Sequence, residues 1–316
     1  MSVPVFDLHC DTAFSLLGQN FRSCGSLKEN EGHIDLIRAG ELGGYAQCFA
    51  CFTTEPDEEI PVAAVELFER ELATIQRELE RNRDIIRQAY SSEDITQNLE
   101  KGMMSAVLTI EGPAGFGYDP ELLEDLYLAG FRMSTLGWNE KNPLTGSCKT
   151  GGGLTDLGRE YVNQAQKRGM IIDVSHISDE GFWDIVKITQ APIVASHSNS
   201  RMVCNVERNL TDDMFRAICE TDGVAGINLY SSFLGRNPTI DTVCDHIFHF
   251  VELDPSGKHI SLGGDLDGCE ALPEGFSGIQ DYQKLAQRLL QRGLGEEMLQ
   301  NIFWNNAIGV MKRCSI

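Results

Sequence analysis

Six side chains of the kinds that bind metals or move protons stand at the ends of apolar runs. In "VFDLHCDT" (5–12), His9 and Asp11 are two positions apart. An extended strand would carry both on one face and Cys10 on the other. "SAVLTIE" (105–111) closes on Glu111, "MIIDVSH" (170–176) on His176, and "HISLGGD" (259–265) on Asp265, while "PIVASHS" (192–198) carries His197 next to its end. Any one of these could cap a helix or brace a loop. Together they are three imidazoles and three carboxylates at the same end of their runs, a set that suits zinc or a similar divalent ion. The near absence of thiolates in the set argues against a closed structural zinc site.

Five such ligands are too many for one catalytic zinc with an open position, but they suit two ions bridged by a carboxylate. The sensible distribution is His9 and Asp11 on one ion, His176 and His197 on the other, and Glu111 across both. Water held between two zinc ions loses its proton near neutral pH, giving a metal-bridged hydroxide as nucleophile. Asp265 would then take that proton and pass it to the leaving group. This chemistry hydrolyses acyl or phosphoryl compounds without a covalent intermediate. A serine nucleophile is disfavoured, because "ASHSNS" has no G-x-S-x-G elbow.

Two arginines, Arg201 and Arg208, follow the His197 run in "SHSNSRMVCNVERN". Either could hold a substrate carboxylate with its planar fork, and spacing does not choose between them. His246 and His249 fall on a helical pattern and His259 begins a strand at its other end, so all three read as structural. Cys48 and Cys51 in "QCFACF" have redox spacing but sit inside an apolar run with no second CxxC. "TGGGL" (150–154) lacks the lysine of a P-loop and reads as a flexible turn.

The elements that must position the six residues alternate. Strands are expected at 5–10, 44–52, 105–111, 131–138, 170–176, 192–198, 224–230 and 259–265, eight in all. Helical periods lie between most of them: a long charged one at 60–86, others at 120–130, 154–169, 178–189, 211–220 and 242–253, and two more within 281–313. Strand–helix alternation implies a parallel sheet, and eight strands imply a closed (β/α)₈ TIM barrel, whose active sites lie at the strand C-termini. No linker, repeat or low-complexity tract divides the chain, so a single domain over 1–316 is expected, with the last helices appended to the barrel.

The charge balance, 26 basic against 47 acidic residues for a net −21, disfavours nucleic acid and anionic membrane surfaces as partners. No stretch of about 18 apolar residues could span a bilayer, and "MSVPVFDLHC" lacks the pattern of a signal peptide. With ten cysteines expected as reduced, buried thiols, the expected location is cytoplasmic.

The order "DLHCDT", "TIEGP", "IIDVSHIS", "IVASHSNSR", "ERNLTDD" and "LGGDLDG" resembles the membrane dipeptidase (renal dipeptidase) family of metallopeptidases, within the amidohydrolase superfamily. The similarity runs over nearly the whole chain. It implies a binuclear zinc barrel that hydrolyses dipeptides, with Glu111 bridging two Zn²⁺ ions, His9 and Asp11 on the first ion, and His176 and His197 on the second. By the same motifs Arg208, rather than Arg201, holds the substrate carboxylate, and Asp265 serves substrate binding and proton transfer. Mammalian members carry a substrate-contacting histidine where "STLGWNEKN" places Trp138. An indole N–H donates but carries no positive charge, so oxyanion stabilisation would fall to the metals or to Asn139. The resemblance suggests a homodimer and, without the leader and lipid-anchor signals of mammalian members, a soluble bacterial-type enzyme. A metal-dependent amidohydrolase acting on N-acyl amino acids is the alternative, and a non-catalytic binding barrel a third reading.

Overall fold

The structure is a computed structural model that describes residues 3–21 and 25–314. Nine strands form in chain order: β1 (Val5–Cys10), β2 (Tyr45–Phe52), β3 (Ile86–Gln88), β4 (Met104–Glu111), β5 (Phe131–Thr135), β6 (Ile171–Asp173), β7 (Ile193–Ala195), β8 (Val224–Ile227) and β9 (Ile260–Leu262). All pairings are parallel, and β2 pairs with both β1 and β4, so eight of the strands close into a barrel in the order β1, β2, β4 to β9. This is the (β/α)₈ fold expected from the alternation.

The ninth strand is the departure. The helical period that continues to residue 86 is cut at Arg81, where the Asn82 side chain caps the Glu78 carbonyl at 2.8 Å and the chain turns. Ile86–Gln88 then pairs with the start of β4, below the point at Leu108 where β5 joins. A three-residue strand with one buried residue carries too little periodicity to be read locally. The helix Ser92–Glu100, capped by Ser91, follows it and was likewise absent from the pattern.

Alternation decides what each strand presents to the barrel interior. On β2, Ala46 and Cys48 face inward with Val107 of β4 and Met133 of β5; Phe49 and Cys51 face the surrounding helices. The two cysteines of the CxxC therefore lie on opposite faces. Along β4 the same parity carries Glu111 inward. β1 breaks its own parity: Asp7 pairs with Gln47 but Cys10 pairs with Phe49, three residues against two. That extra residue turns His9 inward although Phe6 and Leu8 already face in, and it sends Cys10 out among the helices.

The far end of the barrel is filled by apolar side chains. Phe6, Leu8, Val194 and Val224 pack with Trp304, Ala307, Val310 and Met311 of the C-terminal segment, whose helix runs Asn306–Cys314. At the near end, helices begin immediately after the site loops. Ser178 and Thr211 accept from the backbone of Gly181 and Met214 as N-caps, which fixes where the loops bearing His176 and Arg208 must stop. The nine cysteines among the described residues are free thiols, and no helix among those residues is long and apolar enough to cross a membrane.

Candidate metal centre

All six residues singled out at strand ends meet at the C-terminal mouth of the barrel, and they sort around one carboxylate. Oε1 of Glu111 lies 3.0 Å from His176 Nε2 and 3.6 Å from His197 Nε2. Its other oxygen, Oε2, lies 3.3 Å from His9 Nε2. His9 Nε2 is in turn 3.7 Å from Asp11 Oδ2 and 3.8 Å from Asp265 Oδ1. The His9 and His197 rings stack at 3.7 Å, and the Nε2 atoms of His176 and His197 are 3.0 Å apart. Five of these side chains would ordinarily be fully hydrogen-bonded at this depth, yet His9 Nε2 and Asp11 Oδ1 are buried without a hydrogen-bond partner. Lone pairs of imidazoles and carboxylates converging without donors between them are what a cation requires, so the residues present fit a metal site.

The charges are arranged by burial. Burial pushes the imidazoles of His176 and His197 well below the ordinary histidine range, helped by the nearby Arg208 guanidinium and His9. They are neutral, the form that binds metal. Burial also pushes Glu111 up to about 8, reinforced by Asp11 and Asp265 and opposed by His9. Desolvation pulls His9 down, but the carboxylates of Glu111 and Asp11 outweigh it and raise its pKa. Cations placed here would relieve this crowding of carboxylates.

Several supports were not read from the sequence. His197 Nδ1 is 2.6 Å from Ser196 Oγ, which is bonded to the buried Asp173. Asp173 also accepts from the backbone of Ser175 and Ser196, both at 2.9 Å. This relay fixes the tautomer of His197, as outer partners of metal-binding histidines do. The available signal was an aspartate inside the otherwise apolar "IIDV". Asp265 is held by the Asn228 amide at 3.0 Å. Burial raises the Asp265 carboxyl. Both Asp265 and His176 adopt left-handed backbone conformations, φ 58° and 66°, which non-glycine residues take up only when the surroundings enforce them. Gly268 makes room for the carboxylates: a Cβ there would stand 1.9 Å from Asp11 Oδ2 and 2.8 Å from Asp265 Oδ1.

The two arginines part company. Arg201 forms a bidentate pair with Asp179 at 2.7 and 2.8 Å, and also donates to the Asn209 and Glu207 carbonyls. Arg208 is buried and donates only Nη1, to Ser198 Oγ at 2.8 Å; its Nε and Nη2 have no partner. It lines a cavity of about 540 Å³ above the donor cluster, together with Trp138, Asn139, Lys149, Tyr230 and Phe233. Trp138 stands 6.4 Å from the His176 ring, and Asn139 Oδ1 is 3.4 Å from His176 Nδ1. His246 and His259 are occupied elsewhere: His246 bridges the Ser200 amide and the Leu234 carbonyl at 3.1 Å each, and His259 meets the Gly223 carbonyl at 2.8 Å.

Comparison with known proteins matches the chain to a family: the family model for membrane dipeptidases, peptidase family M19, covers residues 1–315. The chain belongs to the membrane dipeptidase family. By family it is a metallodipeptidase. Among curated relatives, an uncharacterized dipeptidase of Schizosaccharomyces pombe is 35% identical over 216 residues, 66% of this chain and 53% of the relative, so the match spans about half of that protein. An uncharacterized protein in the pqqA 5′ region of Klebsiella pneumoniae is 31% identical over 267 residues, 80% of this chain and 98% of its own. A crystal structure of a dipeptidase described as a family M19 metallopeptidase is 26% identical, superposes with a TM-score of 0.90, and is covered to 99% in both chains. A metallopeptidase from Rhodobacter sphaeroides, solved with a phosphinate mimic of the dipeptide L-Ala-D-Ala, shares the fold at 24% identity and a TM-score of 0.90, with 99% of this chain and 100% of that one covered.

Proposed function

We propose that this member of the family is a binuclear zinc dipeptidase that requires a free carboxylate at the C-terminus of its substrate. One observation carries the proposal. The two oxygens of Glu111 address separate imidazole groups, while an arginine with two unpartnered donor nitrogens lines the same cavity. His9 and Asp11 would hold one ion, His176 and His197 the other, and Glu111 would bridge them. Zinc suits the nitrogen and oxygen donors, and a pair of such ions would supply Lewis acidity and an activated water.

The chain's own residues do the rest. Arg208 would engage the substrate carboxylate through Nε and Nη2, bidentately. Asp265, held by Asn228 beside His9, would accept a proton and return it to the departing amine, and a raised carboxyl is suited to that exchange. Asn139 would keep His176 in one orientation, and Trp138 would wall the substrate cavity and exclude water. Glu59, Glu207 and Glu270 also line that cavity; their charge favours a substrate with a free ammonium group, a dipeptide, over an N-acylated amino acid.

Zinc-loaded protein should cleave dipeptides from a panel of L-Xaa-L-Xaa and L-Xaa-D-Xaa compounds, lose that activity on chelation, and act poorly on N-acetyl amino acids. The D-residues belong in the panel because of the ligand of the Rhodobacter sphaeroides relative. Arg208→Ala should raise KM far more than it lowers kcat. Failure across the dipeptide panel, or faster turnover of acylated amino acids, overturns the proposal.

A further inference from the structure

The cavity continues beyond the donor cluster into a second chamber of about 520 Å³, lined by Phe14, Phe21, Phe52, Ile60 and Trp138. The two chambers share Asp11, Glu59, Glu111, Trp138, Gly268 and Glu270, whereas Arg208 lines only the first. The rings run in a row: Phe14 lies 5.9 Å from Phe21 and 5.5 Å from Phe52, and Phe52 lies 5.0 Å from Trp138, which leads to His176. Apart from Trp138 the chemistry above uses none of these rings, and Phe14, Phe21 and Trp138 are partly exposed, which is unusual in a cavity unless something apolar covers them.

Their position follows from the barrel. Phe14 comes just after β1, Phe52 ends β2 by the inward parity of Ala46 and Cys48, and Trp138 comes just after β5. Arg208 follows β7, four strands round the ring from β2. The aromatic row and the arginine therefore face each other across the mouth, with the two oxygens of Glu111 between them. A dipeptide whose carboxylate sits on Arg208 and whose peptide bond lies over Glu111 would direct its N-terminal side chain toward this second chamber.

We infer that the Phe14–Phe52–Trp138 chamber selects the N-terminal residue of the substrate, favouring a large apolar side chain over a small or charged one. The inference rests on the dipeptidase proposal. Aromatic walls reward apolar area, and a hydrophobic pocket discriminates by about tenfold or more for each well-filled increment of side chain. Glu59 and Glu270 line both chambers. They would receive the N-terminal ammonium and repel an acidic side chain.

The test is kcat/KM of the zinc-loaded enzyme for Phe-Ala, Leu-Ala, Ala-Ala, Ala-Phe, Glu-Ala and Lys-Ala. Phe-Ala and Leu-Ala should exceed Ala-Ala by about tenfold or more, and Ala-Phe should not. Phe14→Ala, at a partly exposed position, should bring the Phe-Ala to Ala-Ala ratio down to within about threefold of unity, and Phe14→Leu should restore most of it. Equal cleavage of Ala-Ala and Phe-Ala, preference for Lys-Ala or Glu-Ala, or a ratio unmoved in Phe14→Ala would overturn the inference while leaving the dipeptidase proposal standing. No cleavage of any dipeptide would overturn both.

Discussion

The two ends of this barrel are built from the same strands and treat buried polar atoms in opposite ways. At the closed end Asn306 donates to the Gly257 and Ile260 carbonyls at 2.7 Å each, beneath an apolar plug of Phe6 and Trp304 with rings 6.0 Å apart. At the mouth, His9 Nε2, Asp11 Oδ1 and two nitrogens of Arg208 are buried and unpartnered. An unpaired buried polar group costs about 1–3 kcal/mol. The unpartnered groups at the mouth are ionisable and Asp11 and Arg208 line one cavity, which marks that end for ligands. The closed end should therefore govern stability and the mouth activity, and four experiments test that division.

The largest effect is expected at the carboxylate between the two imidazole groups. Glu111→Gln should lower kcat/KM by about 10⁴-fold or more and deplete bound metal, because in the proposed binuclear site both ions would lose a shared anionic ligand. The zinc-free variant should melt no lower than zinc-free wild type, since a crowded buried carboxylate has been neutralised. A marked fall in its melting temperature would break the comparison. Asp265→Asn should cost about 10²–10³-fold, in kcat, with metal content intact. Zinc analysis beside steady-state kinetics separates it from Glu111→Gln.

Trp304→Ala, at the closed end, should destabilise the protein by about 3–5 kcal/mol in denaturant unfolding. The kcat/KM of the folded fraction should hardly move. A loss of activity beyond the loss of folded protein would mean that the two ends are coupled.

The smallest effect concerns His246, which belongs to the structural class although it anchors Ser200, near the site loops. Burial holds its pKa below the ordinary value of 6.5. As pH falls through 6.5 the unfolded chain therefore takes up the proton before the folded one, and stability present above that pH is lost toward lower pH. His176 and His197 titrate with the same sign in zinc-free protein. His246→Gln should thus flatten, without abolishing, the decline in stability between pH 6.5 and more acidic conditions. An unchanged slope would remove His246 from the structural class.

Much of the site was legible because barrel strands announce themselves. Glu111 closes an eight-residue alternating run, and inward parity from Val107 carries it to the mouth. The three histidines and Asp265 needed only their residue type and their place at the end of an apolar run. The short strand β3 and the helix after it were not legible, since their stability comes from pairing with β4 rather than from local pattern. Nor was the Asp173–Ser196–His197 relay, whose members come from two different strands.

The alternation of the eight barrel strands with helices, the donor types at the strand ends, and the net negative charge were determined by the sequence alone, since each rests on periodicity, propensity or composition within a few residues. Which residues are free to act was decided only by the tertiary structure. Spacing made Arg201 and Arg208 equivalent; Asp179, at the start of the helix capped by Ser178, occupies one and leaves the other open. Counting by two put His9 and Asp11 on one face, but His9 points inward only because β1 carries one residue more than β2 in their shared register. Partner allocation and register are settled between segments distant in the chain, and local pattern holds no record of them.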